Sequence, residues 1–387
     1  MQKITTFQKR GDMKKNRLGK QSILWTSMMA VLFFAAAALA EDVIKIGVAG
    51  AHSGDLASYG LPTVKAAELV VKKINAAGGV LGKEVVLLTE DDACKPELAT
   101  NTATKLVSQG VCAVIGHICS GATRAAMAIY KNAGIVCLSP SATKADLTLS
   151  GEYPNFYRTI ANDDTQARLQ AEFAVKTLGV KKVAILHDKG DYGKDLAELA
   201  RRHFETAGVA VALFEGVTPG AVDYTAIVQK VKLKNPDLVV WGGYHPEASK
   251  IVSLMRKKRM KTPFMGADGV KDNTFIKVAG AAAEGVYATG PRDVSQNPLT
   301  LAAWKAHREI YKSDPGAFFD NAYAATLALL KAIEKAGSTD YAAVSKALKT
   351  ETVETPLGRI GFDQNGDATG IGFTVYRVEQ GVFKEHR

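Results

Sequence analysis

From residue 43 onward, the chain alternates between short apolar runs rich in β-branched residues and longer segments with apolar residues at helical spacing. The run VIKIGVAG comes first, and after a turn with glycine and serine a helix is predicted from Pro62 to Ala77. Such a helix carries the chain back across the sheet, so the next strand lies parallel to the previous one. The pattern therefore predicts an α/β fold in which helices cover both faces of parallel sheets.

The alternation falls into two blocks, residues 43–160 and 162–290. Each block has the length of a typical domain, which predicts two doubly wound lobes. After Pro291 the order changes to helical segments followed by strand-like runs at 359–363 and 372–379. We expect these runs to complete the sheets already begun, so that repeated crossings between the lobes form a hinge. The predicted boundaries are 41–161 with 292–371 for lobe N and 162–291 with 372–387 for lobe C.

The first 40 residues have the order of a secretory signal: a basic start, an apolar run from Ile23, and the small tripeptide ALA before Glu41. This order predicts a cleaved signal peptide at residues 1–40. The alternative is a membrane anchor, because the run of about 18 apolar or small residues is close to the ~20 that span a bilayer. The basic region from Met1 is long for a signal, whereas a start at Met13 gives ordinary proportions, so we favour Met13 over Met1 as the start.

The predicted signal carries most of the excess positive charge. It holds seven Lys or Arg and one Asp, so its removal lowers the net charge from +10 to +4. A balance that modest does not favour nucleic acid as a partner. We therefore expect an exported protein that binds no nucleic acid.

Export makes the four cysteines, Cys94, Cys112, Cys119 and Cys137, candidates for disulfides, with three full pairings. Spacing alone does not choose among these pairings. Cys94 and Cys119 each lie in a strand-to-helix turn and can share one rim of a sheet. Cys112 and Cys137 lie in apolar strands, where cysteine is most often a small buried hydrophobe. We therefore favour a Cys94–Cys119 disulfide and expect the other two cysteines to be reduced.

Sequence signals for an enzyme are absent. The chain has no G-x-S-x-G elbow, no G-x-x-x-x-G-K-[ST] loop and no G-x-G-x-x-G after the first strand. His117, His187 and His245 lie at strand ends but lack the spacing of a metal site. Asp188 is a poor partner for His187 because neighbouring strand residues point to opposite faces. We therefore expect no enzyme activity, no metal and no cofactor.

The turns after the strands favour a binding site, since ligands of open parallel sheets bind beyond the carboxyl ends of the strands. In IGHICSGATR, Ser120 precedes a helix, where its hydroxyl can cap the helix and unpaired amides can receive an anion. Ser141, Ala142 and Thr143 follow the next strand and form a second small, hydroxyl-bearing turn. Together the two turns suit one carboxylate.

In the second block, successive strands end in an aromatic or acidic residue, namely Tyr192, Tyr244 and Asp268. Phenol oxygens and a carboxylate suit an ammonium group. The first block thus offers a site for a carboxylate and the second block offers a site for an ammonium.

The segments SGDLASYG, DDACKPE, IGHICSGAT, SPSAT, HDKGDYG, GGYHPE, FMGADGV and DPGAFF resemble, in order, landmarks of the periplasmic branched-chain amino acid binding proteins of ABC transporters. The resemblance runs from about Glu41 to the C terminus. It implies a type I periplasmic binding protein: two lobes, joined by three crossovers, that close on one amino acid. It also implies a monomer that contacts a membrane permease transiently. The alternatives are an amino-acid or amide sensor on the same fold and an exported hydrolase.

The resemblance also implies a role for each candidate residue. Asp268 departs from some relatives, which carry a glutamate one methylene longer, so its reach toward an ammonium is shorter. The Cys94–Cys119 pairing matches the disulfide of the family. The implied ligand contacts are Ser120, the Ser141 backbone, Ala142 and Thr143 for the carboxylate, Asp268, Tyr192 and Tyr244 for the ammonium, and Tyr59, Ile118, Cys119 and Phe318 for the side chain.

Overall fold

A computed structural model describes residues 43–386. The predicted signal peptide, residues 1–40, lies outside the described residues. Within the described part of the chain, no helix is both long enough and apolar enough to cross a membrane.

The first block forms a sheet of five parallel strands in the order β2-β1-β3-β4-β5. Its strands are rich in Val and Ile, which suit a sheet buried on both faces. The strands are β1 (Ile44–Gly50), β2 (Val85–Asp91), β3 (Ala113–Ile115), β4 (Val136–Ser139) and β5 (Phe156–Arg158). The connecting helices are α1 (Ala57–Ala76), α2 (Pro96–Ser108), α3 (Ser120–Asn132) and the short α4 (Asp146–Leu149).

The second block forms a sheet of seven strands in the order β14-β13-β10-β9-β8-β6-β7. The strands from β6 to β10 are parallel, whereas β13 and β14 are antiparallel at one edge. The strands are β6 (Lys182–His187), β7 (Ala210–Gly216), β8 (Leu238–Gly242), β9 (Phe264–Gly266), β10 (Tyr287–Pro291), β13 (Phe373–Glu379) and β14 (Val382–Glu385). The helices are α5 (Asp163–Lys176), α6 (Asp191–Thr206), α7 (Thr225–Lys234), α8 (His245–Lys257) and α9 (Asn273–Ala279).

After β10 the chain returns to the first block. The helices α10 (Pro298–Tyr311), α11 (Phe319–Ala336) and α12 (Tyr341–Thr350) precede a small ribbon of β11 (Val353–Thr355) and β12 (Gly358–Ile360). Leu329 and Ile333 of α11 pack in one core with Ile46 of β1 and Ile115 of β3. The chain therefore passes between the blocks before α5, after β10 and before β13, and the predicted two-lobed α/β fold with three crossovers is confirmed.

The structure differs from the sequence predictions in three elements. Helix α1 begins at Ala57 rather than Pro62, so the proline lies inside the helix. Helix α5 was not predicted, because its buried face consists of alanine, glutamine and aspartate rather than large apolar residues. The run at 359–363 does not complete a main sheet; β12 pairs only with β11 in a separate ribbon.

The sheet order brings the functional turns together. In the first sheet β3 lies between β1 and β4, so the turns that carry Ser120 and Ser141 are neighbours. In the second sheet β8 lies between β6 and β9, which gathers the turns that carry Tyr192, Tyr244 and Asp268. Both sets lie at carboxyl ends of parallel strands, where ligands bind in open sheets.

Helix α1 approaches the end of β1 closely, and this contact positions Tyr59. A Cβ atom at Gly60 would lie 1.9 Å from the carbonyl oxygen of Ala51. Only glycine permits this approach without movement of the backbone.

Candidate functional site

A small cavity lies where the turns of the two blocks meet. It admits the centre of one water molecule, about 10 Å³, so a larger ligand enters only if the wall moves. Its wall combines hydroxyl, phenol and carboxyl groups with two apolar side chains. The wall consists of Tyr59, Ile118, Ser120, Ser141, Tyr192, Tyr244, Asp268, Gly269 and Phe318.

Ser120 is buried at the start of α3, but it does not cap that helix as predicted. Cys119 occupies the N-cap position, and no side-chain capping hydrogen bond forms there. The Ser120 hydroxyl instead accepts a hydrogen bond from the Lys144 amide at 3.1 Å, because the turn after β4 lies against the start of α3. Its own proton remains available to an acceptor in the cavity, beside helix amides that have no intrahelical partner.

The turn after β4 is held by hydrogen bonds from the strand ends. Ser139 donates to the His117 carbonyl at 2.5 Å and accepts from the Ala142 amide at 2.9 Å. Ser141 donates to the Ile118 carbonyl at 2.8 Å. The side chain of Ser141 is therefore committed to the protein, and its amide donates a long hydrogen bond to the Ser139 hydroxyl at 3.3 Å. An anion in the cavity would compete with Ser139 for this amide.

Asp268 provides the acidic side of the cavity. Its side chain accepts a hydrogen bond from the Tyr192 hydroxyl at 2.8 Å, and the Gly269 amide donates to the same hydroxyl at 3.2 Å. The backbone after β9 and the phenol from α6 therefore hold the carboxylate in one orientation.

Asp163 and Gln166 are buried polar residues that interact with Asp268 behind the cavity wall, and sequence reasoning missed them. Both are fully buried at the start of α5, and the Asp163 amide donates to the Thr143 carbonyl at 2.9 Å. Their side chains and the Thr143 hydroxyl make no hydrogen bond of normal geometry. Buried polar groups of this kind are rare unless a ligand or water satisfies them. The signal for Asp163 was present in RTIANDD, but α5 had not been predicted there.

Both acids are costly to ionise because they are buried. Burial raises the pKa of Asp163 well above its usual value, and the nearby charge of Asp268 adds to this effect. Burial likewise raises the pKa of Asp268 to about 6, although hydrogen bonding to Tyr192 and an interaction with Gln166 oppose the rise. A cation placed between the two carboxyl groups would relieve both penalties.

An aromatic cluster forms the rest of the cavity and crosses between the blocks. The Tyr59 hydroxyl donates to the Gly269 carbonyl at 2.7 Å and lies 2.5 Å from Nδ1 of His245. The Tyr59 ring contacts Phe318, with 5.8 Å between ring centroids, and Tyr244, with 5.9 Å. The blocks are thus in contact at the cavity, in a closed arrangement.

A disulfide and a buried network support the turn that carries Ser120. Cys94 and Cys119 are bonded, as expected, whereas Cys112 and Cys137 are free. Nearby, Nδ1 of the fully buried His117 lies 2.6 Å from a carboxylate oxygen of Asp92. This histidine serves the packing of the turn. Among the described residues, no group of three or more His, Cys, Asp or Glu side chains has the geometry of a metal site.

Comparisons with known proteins bear on this arrangement. Residues 43–382 match the sequence model of the family described as "Periplasmic binding protein". The chain belongs to the periplasmic binding protein family. A leucine-, isoleucine-, valine-, threonine- and alanine-binding protein of Pseudomonas aeruginosa is 38% identical over 348 residues, which cover 90% of this chain and 93% of that protein. A Leu/Ile/Val-binding protein of Escherichia coli K12 is 37% identical over 345 residues, which cover 89% of this chain and 93% of that protein.

Solved structures are similar to this periplasmic binding protein over most of its length. A leucine-binding protein of Thermotoga maritima has a TM-score of 0.83 and 26% identity, covering 89% of this chain and 98% of that chain. A branched-chain amino acid transporter substrate-binding protein of Streptococcus pneumoniae, in complex with isoleucine, has a TM-score of 0.80 and 30% identity with the same coverage. These findings confirm the family resemblance seen in the sequence. They also agree with the expectation of a solute-binding protein rather than an enzyme.

In this periplasmic binding protein, eight of the eleven predicted contact residues line the cavity. The other three, Cys119, Ala142 and Thr143, are buried beside it without forming its wall. The sulfur of Cys119 is in the disulfide, and the Thr143 hydroxyl lies near Asp163 and lowers the pKa of that carboxyl group.

Two ion pairs join the blocks beside the cavity. Lys144 lies 2.8 Å from Asp195 of α6, with its side chain 10% exposed. Arg124 of α3 lies 3.1 Å from Asp191, with its side chain 53% exposed. Because desolvation strengthens electrostatic interactions, the Lys144 pair is the stronger link.

Proposed function

We propose that this protein is an exported solute-binding protein that captures a small apolar amino acid between two lobes and delivers it to an ABC importer. The observation that supports the proposal is the distribution of polar residues around the cavity, with Ser120 and Ser141 in the wall from the first block and the buried carboxyl group of Asp268 in the wall from the second. The buried Asp163 interacts with Asp268 but does not line the cavity. A zwitterion leaving water needs both of its charges satisfied, since an unpaired buried charge costs several kcal/mol. We retain the lobe boundaries predicted from the sequence, with one of the two large sheets in each lobe.

The α-carboxylate is assigned to the first lobe. The hydroxyl of Ser120, the Ser141 backbone and the turn at Ala142 and Thr143 face it, together with the first amides of α3. Helix N-termini and hydroxyls favour anions. None of these donors carries a formal charge, so the carboxylate site places no positive charge near the ammonium of the same ligand.

The ammonium is assigned to Asp268, and the unpartnered Asp163 is a second acceptor for it. The phenols of Tyr192 and Tyr244 close over this group. Because contacts to the carboxylate and to the ammonium come from different lobes, the ligand favours the closed state by its higher affinity for that state.

The ligand side chain is assigned to the apolar wall of Tyr59, Ile118 and Phe318, beside Cys119. The closed cavity is smaller than any of these ligands, so entry requires the lobes to open and these side chains to repack. One methylene changes binding by only about 1–3 kcal/mol, so we expect weak discrimination among leucine, isoleucine and valine. The binding proteins of Pseudomonas aeruginosa and Escherichia coli carry several such amino acids in their names, which supports the proposal.

Export and delivery complete the proposed function. We infer a monomer in the periplasm that contacts a membrane permease transiently. Mass spectrometry of the protein from a periplasmic extract should give a chain that begins at Glu41. A chain that keeps the apolar run from Ile23 would contradict cleavage and favour the anchor.

Calorimetric titration of refolded, ligand-free protein tests the proposal. Leucine and valine should bind, phenylalanine more weakly, and glutamate least. Asp268→Asn should abolish or strongly weaken leucine binding because it removes a negative charge from the ammonium site, whereas Asp223→Asn, at an exposed aspartate, should have no effect. The proposal is wrong if no apolar amino acid binds, or if both variants bind leucine like the parent.

Ser120→Ala should weaken leucine affinity by about 1–3 kcal/mol, the value of a hydrogen bond to a charged group. Ser108→Ala, which removes an exposed hydroxyl at the end of α2, is the matched control. The same variant also tests the hydrolase alternative. In a hydrolase Ser120 would be the nucleophile, so Ser120→Ala would abolish turnover of ester or amide substrates. Unchanged leucine affinity in Ser120→Ala would remove this residue from the carboxylate site.

A further inference from the structure

A second, larger compartment adjoins the amino-acid cavity. Its volume is about 440 Å³, and it shares two wall residues with the cavity, Asp268 and Phe318. Phe318 therefore forms part of the partition between the two spaces. The compartment also contains the side chain of Lys271, which follows Asp268 by one turn of chain.

The side chain of Lys271 is held in a fixed position. A Cβ atom at Gly290 would lie 2.6 Å from Cδ of Lys271, so the stem of the lysine packs directly over this glycine. Its ammonium lies 4.1 Å from the centroid of the Tyr376 ring. A lysine anchored in this way presents its charge to the compartment with little further loss of side-chain freedom.

The acids around the compartment have hydrogen-bond donors, whereas Lys271 has no acceptor in the part of the chain that the structure describes. Asp320 accepts from the Trp304 indole at 2.8 Å, and Asp293 accepts from the amide and hydroxyl of Ser295. Within the described residues, the ammonium of Lys271 makes no hydrogen bond or ion pair, and it lies over the Tyr376 ring. Burial lowers the pKa of this lysine, and Asp320 and Asp293 oppose the effect only in part.

The remaining charged groups of the compartment are already engaged or exposed. Asp268 accepts from Tyr192, and Glu385 accepts from the Thr374 hydroxyl at 3.0 Å. Arg292 and Lys384 are exposed to solvent. Among the described residues of the compartment wall, Lys271 is therefore the basic residue that is not exposed to solvent and whose ammonium still has no hydrogen-bond acceptor.

We propose that Lys271 anchors a carboxylate in this compartment, beside the proposed amino-acid site. The carboxylate is either the far end of a longer amino acid that passes Phe318 or a separate small carboxylate. The first source extends the ligand class from apolar amino acids to those with a side chain longer than that of glutamate and a terminal carboxylate, and to that extent it rests on the proposed function.

The test compares L-2-aminoadipate with L-norleucine, which share a carbon chain and differ in a terminal carboxylate or methyl group. Calorimetry is performed on the parent protein, on Lys271→Met and on Lys384→Met, the matched control at an exposed lysine of the same compartment. Lys271→Arg tests rescue by a second cation, and circular dichroism checks that each variant is folded. In a second arm, thermal unfolding is measured in sodium acetate and in sodium chloride, with and without leucine.

If the amino acid supplies the carboxylate, the ratio of aminoadipate to norleucine affinity falls about tenfold or more in Lys271→Met. The parent value of this affinity ratio is retained in Lys384→Met and at least partly in Lys271→Arg. If a separate anion supplies it, acetate raises the Tm of the parent and of Lys384→Met but not that of Lys271→Met. A purely structural role lowers both affinities together and leaves their ratio unchanged.

Equal ratios and equal responses to acetate in all variants would overturn the proposal. Leucine titration reports separately on the proposed function. Leucine binding combined with no dependence on Lys271 refutes only the second site, whereas an absence of leucine binding refutes the proposed function and leaves the acetate arm to decide on Lys271.

Discussion

At the scale of single residues, the site depends on two acids whose neighbourhood differs from that of ordinary surface carboxylates. Asp163 and Asp268 are both buried, and no lysine or arginine forms an ion pair with either among the described residues. Burial raises the pKa of both groups, so each carries a free-energy cost of ionisation that a bound cation would reduce. The proposed affinity for an ammonium and the cost of leaving these acids without a cation would thus have one physical origin.

The pH dependence of stability follows from the same groups. The pKa of Asp268 is raised to about 6 from 3.8 by burial, so its contribution to stability is fully present below the unfolded value and is lost as the pH rises through about 6. Ligand-free protein should therefore gain about 2–3 kcal/mol from this group between pH 7 and pH 4. Urea unfolding across this range checks the sign, and Asp268→Asn should flatten the dependence. The same pH dependence of the free energy of unfolding in the parent and in Asp268→Asn would contradict this prediction.

Leucine affinity should have the opposite pH dependence. Protonation of Asp268 and Asp163 removes the charge that holds the ammonium, so affinity should fall as the pH falls through about 6. Calorimetry at pH 5 and pH 8 in buffers of different ionisation enthalpy measures both the change and the protons released on binding. The same calorimetry on Glu198→Gln, which removes a half-exposed carboxylate on α6, controls for general charge effects.

At the scale of elements, the turn after β4 is held from behind by one side chain of β5. The fully buried Arg158 donates to the carbonyls of Ala142 and Lys144, at 3.2 and 2.7 Å, and pairs with Asp367. It thereby links the first lobe's last strand, the proposed carboxylate turn and a loop that precedes β13. Backbone carbonyls that would otherwise be buried without donors are satisfied.

Arg158→Met should destabilise the protein by about 3–5 kcal/mol, because the Asp367 carboxylate loses its cation and two backbone carbonyls lose their hydrogen-bond donor. Arg168→Met, at an exposed arginine of α5, should change stability by less than about 0.5 kcal/mol. Urea unfolding measures both variants. Similar midpoints for the two would show that the interactions of Arg158 do not stabilise the fold.

At the scale of the whole molecule, the closed arrangement depends on contacts between lobes. Tyr59 reaches Gly269 across the cleft, and the Lys144–Asp195 and Arg124–Asp191 pairs lie beside it. Burial works to lower the pKa of Lys144, but the pairs with Asp195 and Asp146 outweigh it, so the pKa is raised. The lysine therefore remains charged and strengthens closure.

Lys144→Met should shift the ligand-free protein toward an open form and weaken leucine affinity about tenfold, since it removes a charged hydrogen bond shielded from water. Arg124→Met should have little effect, because exposed ion pairs contribute only about 0–1 kcal/mol. Small-angle X-ray scattering reports the radius of gyration, and calorimetry the affinity. An unchanged radius in Lys144→Met, or an equal response in both variants, would argue against this role.

The sequence by itself determined the α/β class, the two blocks and most of the turns that carry the site, because strand and helix periodicity and turn chemistry are local properties. It also indicated the residues at strand ends, since parallel sheets bring such ends to one edge. It did not predict α5, whose buried side chains are small or polar, and with that helix it missed Asp163 and Gln166.

Only the tertiary structure decided which hydroxyls are free and which are committed. Ser120 accepts from Lys144 instead of capping α3, Ser141 is bonded to Ile118, and Tyr59 joins the opposite lobe. These partners lie between 23 and 210 residues away along the chain, so no local pattern contains them. Desolvation likewise exists only after packing, which is why the raised pKa values of the two acids emerged from the fold.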